Sequence, residues 1–439
     1  MFYSAAGFLL ASPKGGCVLE RLLGFFGIFG FLFIAYLISS NRKHIPWKSV
    51  GVGILLQLVI ALTIIGVPAA GLSGPLAGLF KAANDFATNL ISYSDEGASF
   101  LFGPLLDTEK MGGMVVGLKI LPTIIFFSAL MAILYHVGVM QKIVGLLAFV
   151  MQKTLRTSGA ESLATAANIF VGQSEAPLVI KPYLKKMTDS EVFTLMVGGM
   201  ATVAGGVLAA YVAMLSLAIP DIAGHLLTAS VMSAPAAIIV SKMLIPETEA
   251  PATLGKISKV EDTGYENLVD AAASGAAEGT RLAINVGGML IGFIALVALV
   301  NGCLEWVGGL FGATEALGEP LSLELVLGYL FTPFAYMLGI AGEQAQFAGQ
   351  LLGKKIVLNE FVAYLDLAQN PESLSERNRL VISYALCGFA NFSSIAIQIG
   401  GIGGIAPSKS KLLAKFGILS MVGGTISACI TAAMVGILL

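Results

Sequence analysis

Residues 168–184 read NIFVGQSEAPLVIKPYL and place a polar cluster inside an otherwise apolar stretch. Gln173, Ser174, Glu175 and Pro177 lie next to one another there, and Asn168 begins the apolar residues that precede them. An ionised side chain at the centre of a bilayer costs about 2.5–3.5 kcal/mol even on insertion scales. The role of the Glu175 carboxylate therefore depends on whether the chain around it lies in a membrane.

The composition indicates that it does. Of the 439 residues 56% are apolar and 12% are charged, and the mean hydropathy is +0.86, whereas soluble domains carry roughly 25% charged residues. Several apolar runs approach or exceed the roughly 20 residues that a spanning helix needs. They cover 22–40, 51–70, 114–139, 191–219, 282–300 and 412–439, with a weaker run at 226–245. The sequence predicts an all-α polytopic membrane protein.

Charge and cysteine usage narrow the function further. No basic tract is present, so we expect no nucleic-acid partner. The four cysteines and three histidines are scattered, which argues against a disulfide framework or a histidine metal site. The first apolar run is too long for a signal peptide and is interpreted as a span. Arg42, Lys43 and Lys48 follow it, so the positive-inside rule predicts a cytoplasmic loop and an external N-terminus.

The chain divides into two halves around a polar linker, and each half contains the same order of segments. An interrupted hairpin comes first, at 158–184 and at roughly 321–368. A broken helix follows at 198–211 and 387–404, and an apolar helix closes each half. The predicted units are 1–110 (N-terminal spans and interfacial helices), 111–157 (a span and connector), 158–245 (first repeat), 246–277 (linker), 278–320 (long helix) and 321–439 (second repeat).

Interrupted segments at matching positions of two halves indicate a transporter binding site. Glu175 precedes Thr202 by 27 residues and Glu360 precedes Asn391 by 31, so similar chemistry recurs at similar spacing. An odd number of spans between the repeats makes them inverted. Irregular backbone at membrane depth is tolerated only where it is buried inside the protein or lines a water-filled cavity. Breaks are predicted near Gly172, Pro177, Gly205 and Gly206, within FTPFAYMLG (331–339), and at Gly388, Gly400, Gly401, Gly403 and Gly404.

The two acids also have a less specific interpretation. Glu175 and Glu360 then lie near the membrane interface, or pair with Lys181 and Lys355 respectively. Because two acids occur in matching repeats, we favour the interpretation in which both face a cavity.

Three motifs resemble the concentrative nucleoside transporter family. They are GQSEAP (172–177), the G-x-K-x-x-x-NEFVAY pattern (353–364) and CGFANFSSIA (387–396). The resemblance runs from about residue 110 to the C-terminus, and residues 1–20 have no counterpart in it. It implies a nucleoside symporter of the plasma membrane with eight spans and two re-entrant hairpins. It further implies a homotrimer in which a transport domain moves like an elevator against a scaffold.

The resemblance also implies which residues bind substrate and cation. The nucleobase is expected at Gln173, Ser174, Glu175 and Val207, and the ribose at Glu360, Phe389, Asn391 and Ser394. A sodium ion is expected at Asn168, Val171, Thr202 and Val203, with backbone carbonyls supplied by the two valines. Some members run on protons, in which case Glu175 is the natural carrier. No prosthetic group and no enzymatic activity are expected.

Three other classes of function remain in view. An intramembrane hydrolase built on Ser174 is disfavoured, because Ala176 stands where a nucleophile turn has Gly and neither interrupted segment contains a His. A passive channel is disfavoured by the acid in each half. A carrier for another solute, such as a nucleobase or an amino acid, differs from a nucleoside carrier at the predicted ribose-binding residues.

Overall fold

The computed structural model describes residues 18–106, 115–255, 264–312 and 320–439. Most of the N-terminal stretch 1–20, the predicted boundary between 110 and 111, and part of the linker lie outside the described residues. Helices dominate what is described, together with a small antiparallel pair of strands, β1 (Gly66–Val67) and β2 (Leu72–Ser73).

The helices are numbered in chain order through the described residues. In the N-terminal half they are α1 (Val18–Leu37), α2 (Trp47–Ile64), α3 (Ala77–Phe102), α4 (Val116–Lys119), α5 (Leu121–His136), α6 (Val139–Leu155), α7 (Gly159–Asn168), α8 (Ala176–Val179), α9 (Lys181–Leu184), α10 (Asp189–Ala201), α11 (Gly205–Leu215) and α12 (Ile222–Leu244). In the C-terminal half they are α13 (Leu268–Leu310), α14 (Leu323–Met337), α15 (Gln344–Val357), α16 (Glu360–Gln369), α17 (Glu376–Leu386), α18 (Phe392–Ile405) and α19 (Ser410–Leu438).

Seven helical segments of the described chain are long and apolar enough to span a membrane, in agreement with the seven predicted runs. Three of them form the protein core, because 83% of the residues in their apolar windows are buried. These are the α10–α11 segment, α12 and α19. By contrast, only 11% of the α13 window is buried. Apolar surface on α13 is therefore available to lipid or to another chain.

The two halves repeat the same order of helices. Helices α6 to α12 run as a helix, a hairpin (α7 with α8 and α9), a broken helix (α10 and α11) and a plain helix. Helices α14 to α19 run in the same order, with α15 and α16 as the hairpin and α17 and α18 as the broken helix. The structure adds one element to the predicted order, since each hairpin is preceded by its own helix. A single helix, α13, separates the two series within the described residues.

Local sequence determines where several of these helices begin. Ser158 and Glu161 form a capping box at the start of α7, and Thr188 and Glu191 form one at the start of α10. Each box satisfies backbone N–H groups that a helix leaves unpaired at its N-terminus. Asn267 accepts hydrogen bonds from the backbone at the start of α13, which begins ten residues before the predicted boundary at 278.

Two groups of predicted breaks are wrong. Helix α14 continues through Pro333, so the second hairpin is α15–α16 and not the whole of 321–368. Helix α18 likewise continues through its four glycines, Gly400, Gly401, Gly403 and Gly404. A glycine costs a helix about 1 kcal/mol relative to alanine. Unpaired backbone groups in hydrocarbon cost several kcal/mol each, so continuing the helix is cheaper than breaking it.

The polar residues of the peripheral helices make interhelical contacts. Asn84 of α3 donates to Asp221 at 3.0 Å and accepts from the Gly224 backbone at 3.2 Å, which fastens α3 to the start of α12. Asn301 of α13 donates to Glu324 at 2.9 Å and accepts from the Leu323 backbone at 2.8 Å. Asn301 is therefore a hydrogen-bond partner between α13 and the start of α14.

Candidate functional site

The breaks in the two broken helices meet at one point. Helix α10 ends at Ala201 and α11 begins at Gly205, and the second break lies between α17 and α18. Phe389 in the second break donates its N–H to the Thr202 carbonyl in the first, at 3.3 Å. Gly388 has a φ of 133°, and a Cβ there would lie 2.8 Å from the Met200 carbonyl. Only glycine permits this approach of the two backbones.

A cleft lies beside this crossing of the two breaks. It is lined by all eight of the residues predicted to bind substrate, namely Gln173, Ser174, Glu175, Val207, Glu360, Phe389, Asn391 and Ser394. These residues come from both hairpins and both broken helices, so the site is shared between the two repeats.

Glu360 occupies the most constrained position in the cleft. Asn359 caps α16 by accepting from the Val362 N–H at 2.9 Å, and Glu360 is the first residue of that helix. A carboxylate is stabilised at this end of the helix dipole. Its two oxygens accept separately, one from the Tyr211 hydroxyl at 2.6 Å and one from the Asn391 amide at 2.9 Å. The Glu360 side chain is thus held in one orientation, and only 4% of the residue is exposed.

A chain of hydrogen bonds joins the two repeats across the floor of the cleft. Asn391 caps α18 by accepting from the Ser394 N–H at 2.8 Å. The Ser394 hydroxyl accepts from the Gln173 amide at 2.9 Å. Gln398 then donates to the Gln173 carbonyl oxygen at 3.1 Å and to the Met196 carbonyl at 2.9 Å. The first hairpin tip is therefore fastened to the second broken helix.

The remaining residues of the first hairpin tip are open to the cleft. Ser174 and Glu175 are exposed, in contrast to the buried Gln173. Gly172 turns the chain with a φ of 87°, and a Cβ there would lie 2.7 Å from the Ala204 side chain. The tip thus packs against the break between α10 and α11 and presents its polar side chains to the cavity.

Sequence reasoning missed two parts of this site. Tyr211 is one of them, although its hydroxyl is the shortest contact of the Glu360 carboxylate. The other is an apolar wall contributed by the long helix α13, made of Leu282, Val286, Met289 and Leu290. Neither carries a motif, since a tyrosine or a leucine in an apolar helix has no distinctive sequence context.

The predicted cation-binding residues lie directly behind the first hairpin tip. Asn168 is fully buried, yet neither its amide oxygen nor its amide nitrogen has a hydrogen-bond partner among the described residues. Thr202 is also fully buried and donates its hydroxyl to the Gly198 carbonyl at 2.9 Å. A Cβ added at Gly198 would lie 3.6 Å from the Asn168 amide nitrogen, so both side chains adjoin this one glycine.

The backbone carbonyls predicted to bind the cation belong to two segments of the chain, and a hydrogen bond joins these segments. The Gly205 N–H, two residues after Val203, donates to the carbonyl of Phe170, which directly precedes Val171, at 2.7 Å. Buried polar atoms without a partner are uncommon and require an explanation. Amide, hydroxyl and carbonyl oxygens suit a hard cation. No cluster of three His, Cys, Asp or Glu residues that could hold a metal occurs in the described part of the chain.

The alternative that pairs Glu175 with Lys181 and Glu360 with Lys355 finds no support in the geometry. In the ranges that the structure describes, neither Glu175 nor Glu360 forms an ion pair within 4.0 Å. Lys355 instead donates to the Ala385 carbonyl at 2.8 Å.

Comparison with known protein families gives three matches that together follow most of the chain. Residues 26–105 match the Na+ dependent nucleoside transporter N-terminus, and 225–436 match the C-terminus of the same family. Residues 117–218, which contain the first hairpin and the first broken helix, match a family described as nucleoside recognition.

Individual relatives cover nearly the full length. An uncharacterised transporter of Haemophilus influenzae is 43% identical over 96% of this chain and 97% of its own. The nucleoside permease NupC of Helicobacter pylori is 40% identical over 96% of this chain and 98% of its own.

Solved structures also match the chain over nearly its full length. CNTnw in an inward-facing, substrate-bound state is 41% identical and superposes with a TM-score of 0.84 over 96% of this chain and 97% of that one. A CNTnw variant in an outward-facing state is 40% identical and gives a TM-score of 0.85 over 95% of this chain and 97% of that one. With its seven apolar spans, the chain is a multi-pass plasma membrane protein, and it belongs to the concentrative nucleoside transporter family.

Proposed function

We propose that this protein is a sodium-coupled nucleoside symporter that works by an elevator-type alternating-access mechanism. The observation that carries the proposal is the buried, unpartnered Asn168 amide directly behind a hairpin tip that lines the cleft. A cation bound there orders the tip, and the ordered tip then accepts the substrate. Family membership and the relatives' names support nucleosides as that substrate.

The chemistry of the cleft fits a nucleoside at both ends. Glu360 and Asn391 offer acceptors and a donor to vicinal ribose hydroxyls, and hydrogen bonds to a charged acceptor are roughly twice as strong as neutral ones. Gln173 and Ser174 offer both donors and acceptors to a nucleobase edge. Val207 and the apolar wall of α13 supply the flat faces on either side of a ring.

The architecture of the proposed carrier follows from the repeat. Counting the broken pair α17–α18 as one span adds an eighth to the seven apolar segments, and the two hairpins remain re-entrant. The single intervening helix α13 makes the repeats inverted. In our proposal residues 158–245 and 321–439 form the transport domain. Residues 1–110 and α13 belong to the scaffold, and the exposed face of α13 contacts other copies in a homotrimer.

The energetics are sufficient for nutrient uptake. A tenfold sodium gradient contributes about 1.4 kcal/mol, and a membrane potential of 100 mV contributes about 2.3 kcal/mol per charge. One coupled ion therefore sustains roughly a 500-fold nucleoside gradient.

The test is uptake of labelled uridine by purified protein in proteoliposomes with an inward sodium gradient, an inward proton gradient, or neither. Accumulation with sodium alone is the expected result. Equilibration without accumulation under every gradient means a facilitator or channel and overturns the coupling. No uptake of any nucleoside, with uptake of a nucleobase or amino acid instead, overturns the substrate class.

Proton coupling is a second candidate, and it rests on the position of Glu175. This acid is exposed at the hairpin tip, lines the cleft and forms no ion pair within 4.0 Å among the described residues. Accumulation with the proton gradient alone assigns the coupling to Glu175 and leaves the fold and substrate unchanged.

A further inference from the structure

Lys355, in the second hairpin, is a buried charge that the proposed transport cycle does not yet use. It is 0% exposed, and its ammonium group donates to the Ala385 carbonyl at 2.8 Å. No carboxylate lies within 4.0 Å of it among the described residues. The adjacent Lys354 differs, because it pairs with Asp366 at 2.7 Å and Glu324 at 3.5 Å. Removing an ammonium from water costs several kcal/mol, so Lys355 requires a compensating partner.

That partner is the end of a broken helix. Ala385 is the second-last residue of α17, whose final carbonyls have no helical partners beyond the break. Tyr364 satisfies a further carbonyl there by donating to Ser383 at 2.7 Å. The C-terminus of a helix carries roughly half a negative charge, so the ammonium lies where a cation is favoured.

The first repeat has a cation site at the corresponding place. In the matched order of helices, α15 corresponds to α7 and α17 corresponds to α10. Asn168 ends α7, and Thr202 directly follows α10. In both repeats, therefore, the first arm of the hairpin meets the C-terminal end of a broken helix. One repeat supplies neutral oxygen ligands there, and the other supplies an ammonium group.

We propose that Lys355 is the fixed cation of the second repeat and takes there the place that sodium takes in the first. Its charge holds the end of α17, and through the hairpin it positions the Glu360 carboxylate, five residues further along. Lys355 is thus a positioning residue for ribose recognition. The ribose half of the site is set before any ion binds, and only the first repeat exchanges an ion. This inference rests on the proposed function.

The experiment compares Lys355→Gln, which keeps a hydrogen-bond donor but loses the charge, with Lys355→Arg, which keeps the charge. Lys354→Gln is the matched control, since it removes the neighbouring ammonium. Binding of uridine and of dideoxyuridine, which lacks both vicinal ribose hydroxyls, is measured by calorimetry on purified protein at saturating sodium. The sodium midpoint and the melting temperature are measured for each variant.

Lys355→Gln is expected to raise the Kd for uridine at least about tenfold and to leave the Kd for dideoxyuridine and the sodium midpoint within about twofold. Selectivity for the ribose hydroxyls thus collapses, which general damage to the fold does not produce. Lys355→Arg is expected to retain most of the selectivity, and Lys354→Gln all of it.

Other outcomes overturn the inference. The inference is overturned if Lys355→Gln keeps the wild-type selectivity for uridine over dideoxyuridine. It is also overturned if the Gln and Arg variants bind uridine equally weakly. Where Lys355→Gln does not fold, Lys355→Met is the second neutral variant. If both neutral variants fail to fold and the Arg variant folds, the result supports a required charge at position 355. If all three variants fail to fold, the inference is overturned. A wild-type protein that binds no nucleoside overturns the proposed function itself, and this inference with it.

Discussion

The two hairpin tips each present an acid to the same cleft, but the protein constrains the two acids differently. Glu360 is 4% exposed and accepts from both Tyr211 and Asn391, while Glu175 is exposed. The cation chemistry behind the tips differs in the same sense, with a lysine behind the second and an unpartnered asparagine behind the first. The comparison indicates that the second repeat supplies the preorganised half of the site. In the proposed mechanism the first repeat supplies the half that a bound ion completes.

The largest effect is expected from Glu360→Gln. It removes the charged acceptor and places an amide NH₂ against the donors Tyr211 and Asn391, so uridine binding should weaken by about 3 kcal/mol, roughly 100-fold. Calorimetric titration measures it. Glu372→Gln, an exposed acid beyond the same hairpin, is the control and should bind normally. Near-normal uridine binding in Glu360→Gln contradicts its role in ribose recognition.

The next effect is expected from combining Asn168→Ala with Thr202→Ala. Loss of two oxygen ligands should raise the sodium concentration for half-maximal uridine uptake at least about tenfold and leave the preference among nucleosides unchanged. Uptake into proteoliposomes across a sodium series measures both quantities. A change in nucleoside preference at an unchanged sodium midpoint means that the cation site is misplaced.

A smaller effect is expected from Tyr211→Phe. The ring remains packed against Phe361 and Tyr364, but Glu360 loses one of its two fixed donors, so uridine affinity should fall about fivefold to tenfold. Tyr364→Phe is the matched control, because its hydroxyl donates to the Ser383 carbonyl and not to Glu360. If both variants weaken uridine binding equally, the Tyr211 hydroxyl does not orient the carboxylate.

The smallest effect is expected from Glu175→Gln, provided that sodium is the coupling ion. An exposed acid without a fixed partner is replaced by a side chain of the same shape, and uptake should change less than about threefold. The pH profile of uptake separates the two coupling ions. A profile that becomes flat in Glu175→Gln, together with lost accumulation, assigns coupling to a proton on this residue and removes the contrast between the hairpins.

The chemical motifs of the site could be predicted from sequence, but their local surroundings could not. GQSEAP, NEFVAY and FANFSS give seven of the eight predicted residues that the fold brings to one cleft, and Val207 of the first broken helix is the eighth. Tyr211 was missed because its role depends on how α11 crosses the second hairpin, which leaves no trace in an apolar run. The sequence suggests Lys355 only as a partner of Glu360, whereas in the structure the C-terminal end of α17 provides it with a carbonyl.

Helix breakers gave the least reliable predictions of the fold. The same residue types mark a true break at Gly388 and uninterrupted helix at Gly400 and Pro333. The difference is tertiary, because a Cβ at Gly388 would lie only 2.8 Å from another backbone, whereas a Cβ at Gly400 would meet nothing within 4 Å. A break forms where a second segment satisfies the freed backbone groups, and that segment is distant in sequence.

The single hydrogen bond from the Phe389 N–H to the Thr202 carbonyl has a thermodynamic consequence. Thr202 belongs to the proposed ion site and Phe389 to the substrate cleft, so the two binding events share one peptide contact. In a linked equilibrium of this kind the coupling is reciprocal: whatever factor sodium adds to nucleoside affinity, nucleoside must add to sodium affinity. If that factor exceeds one, the carrier loaded with both ligands is populated at the expense of carriers loaded with only one of them.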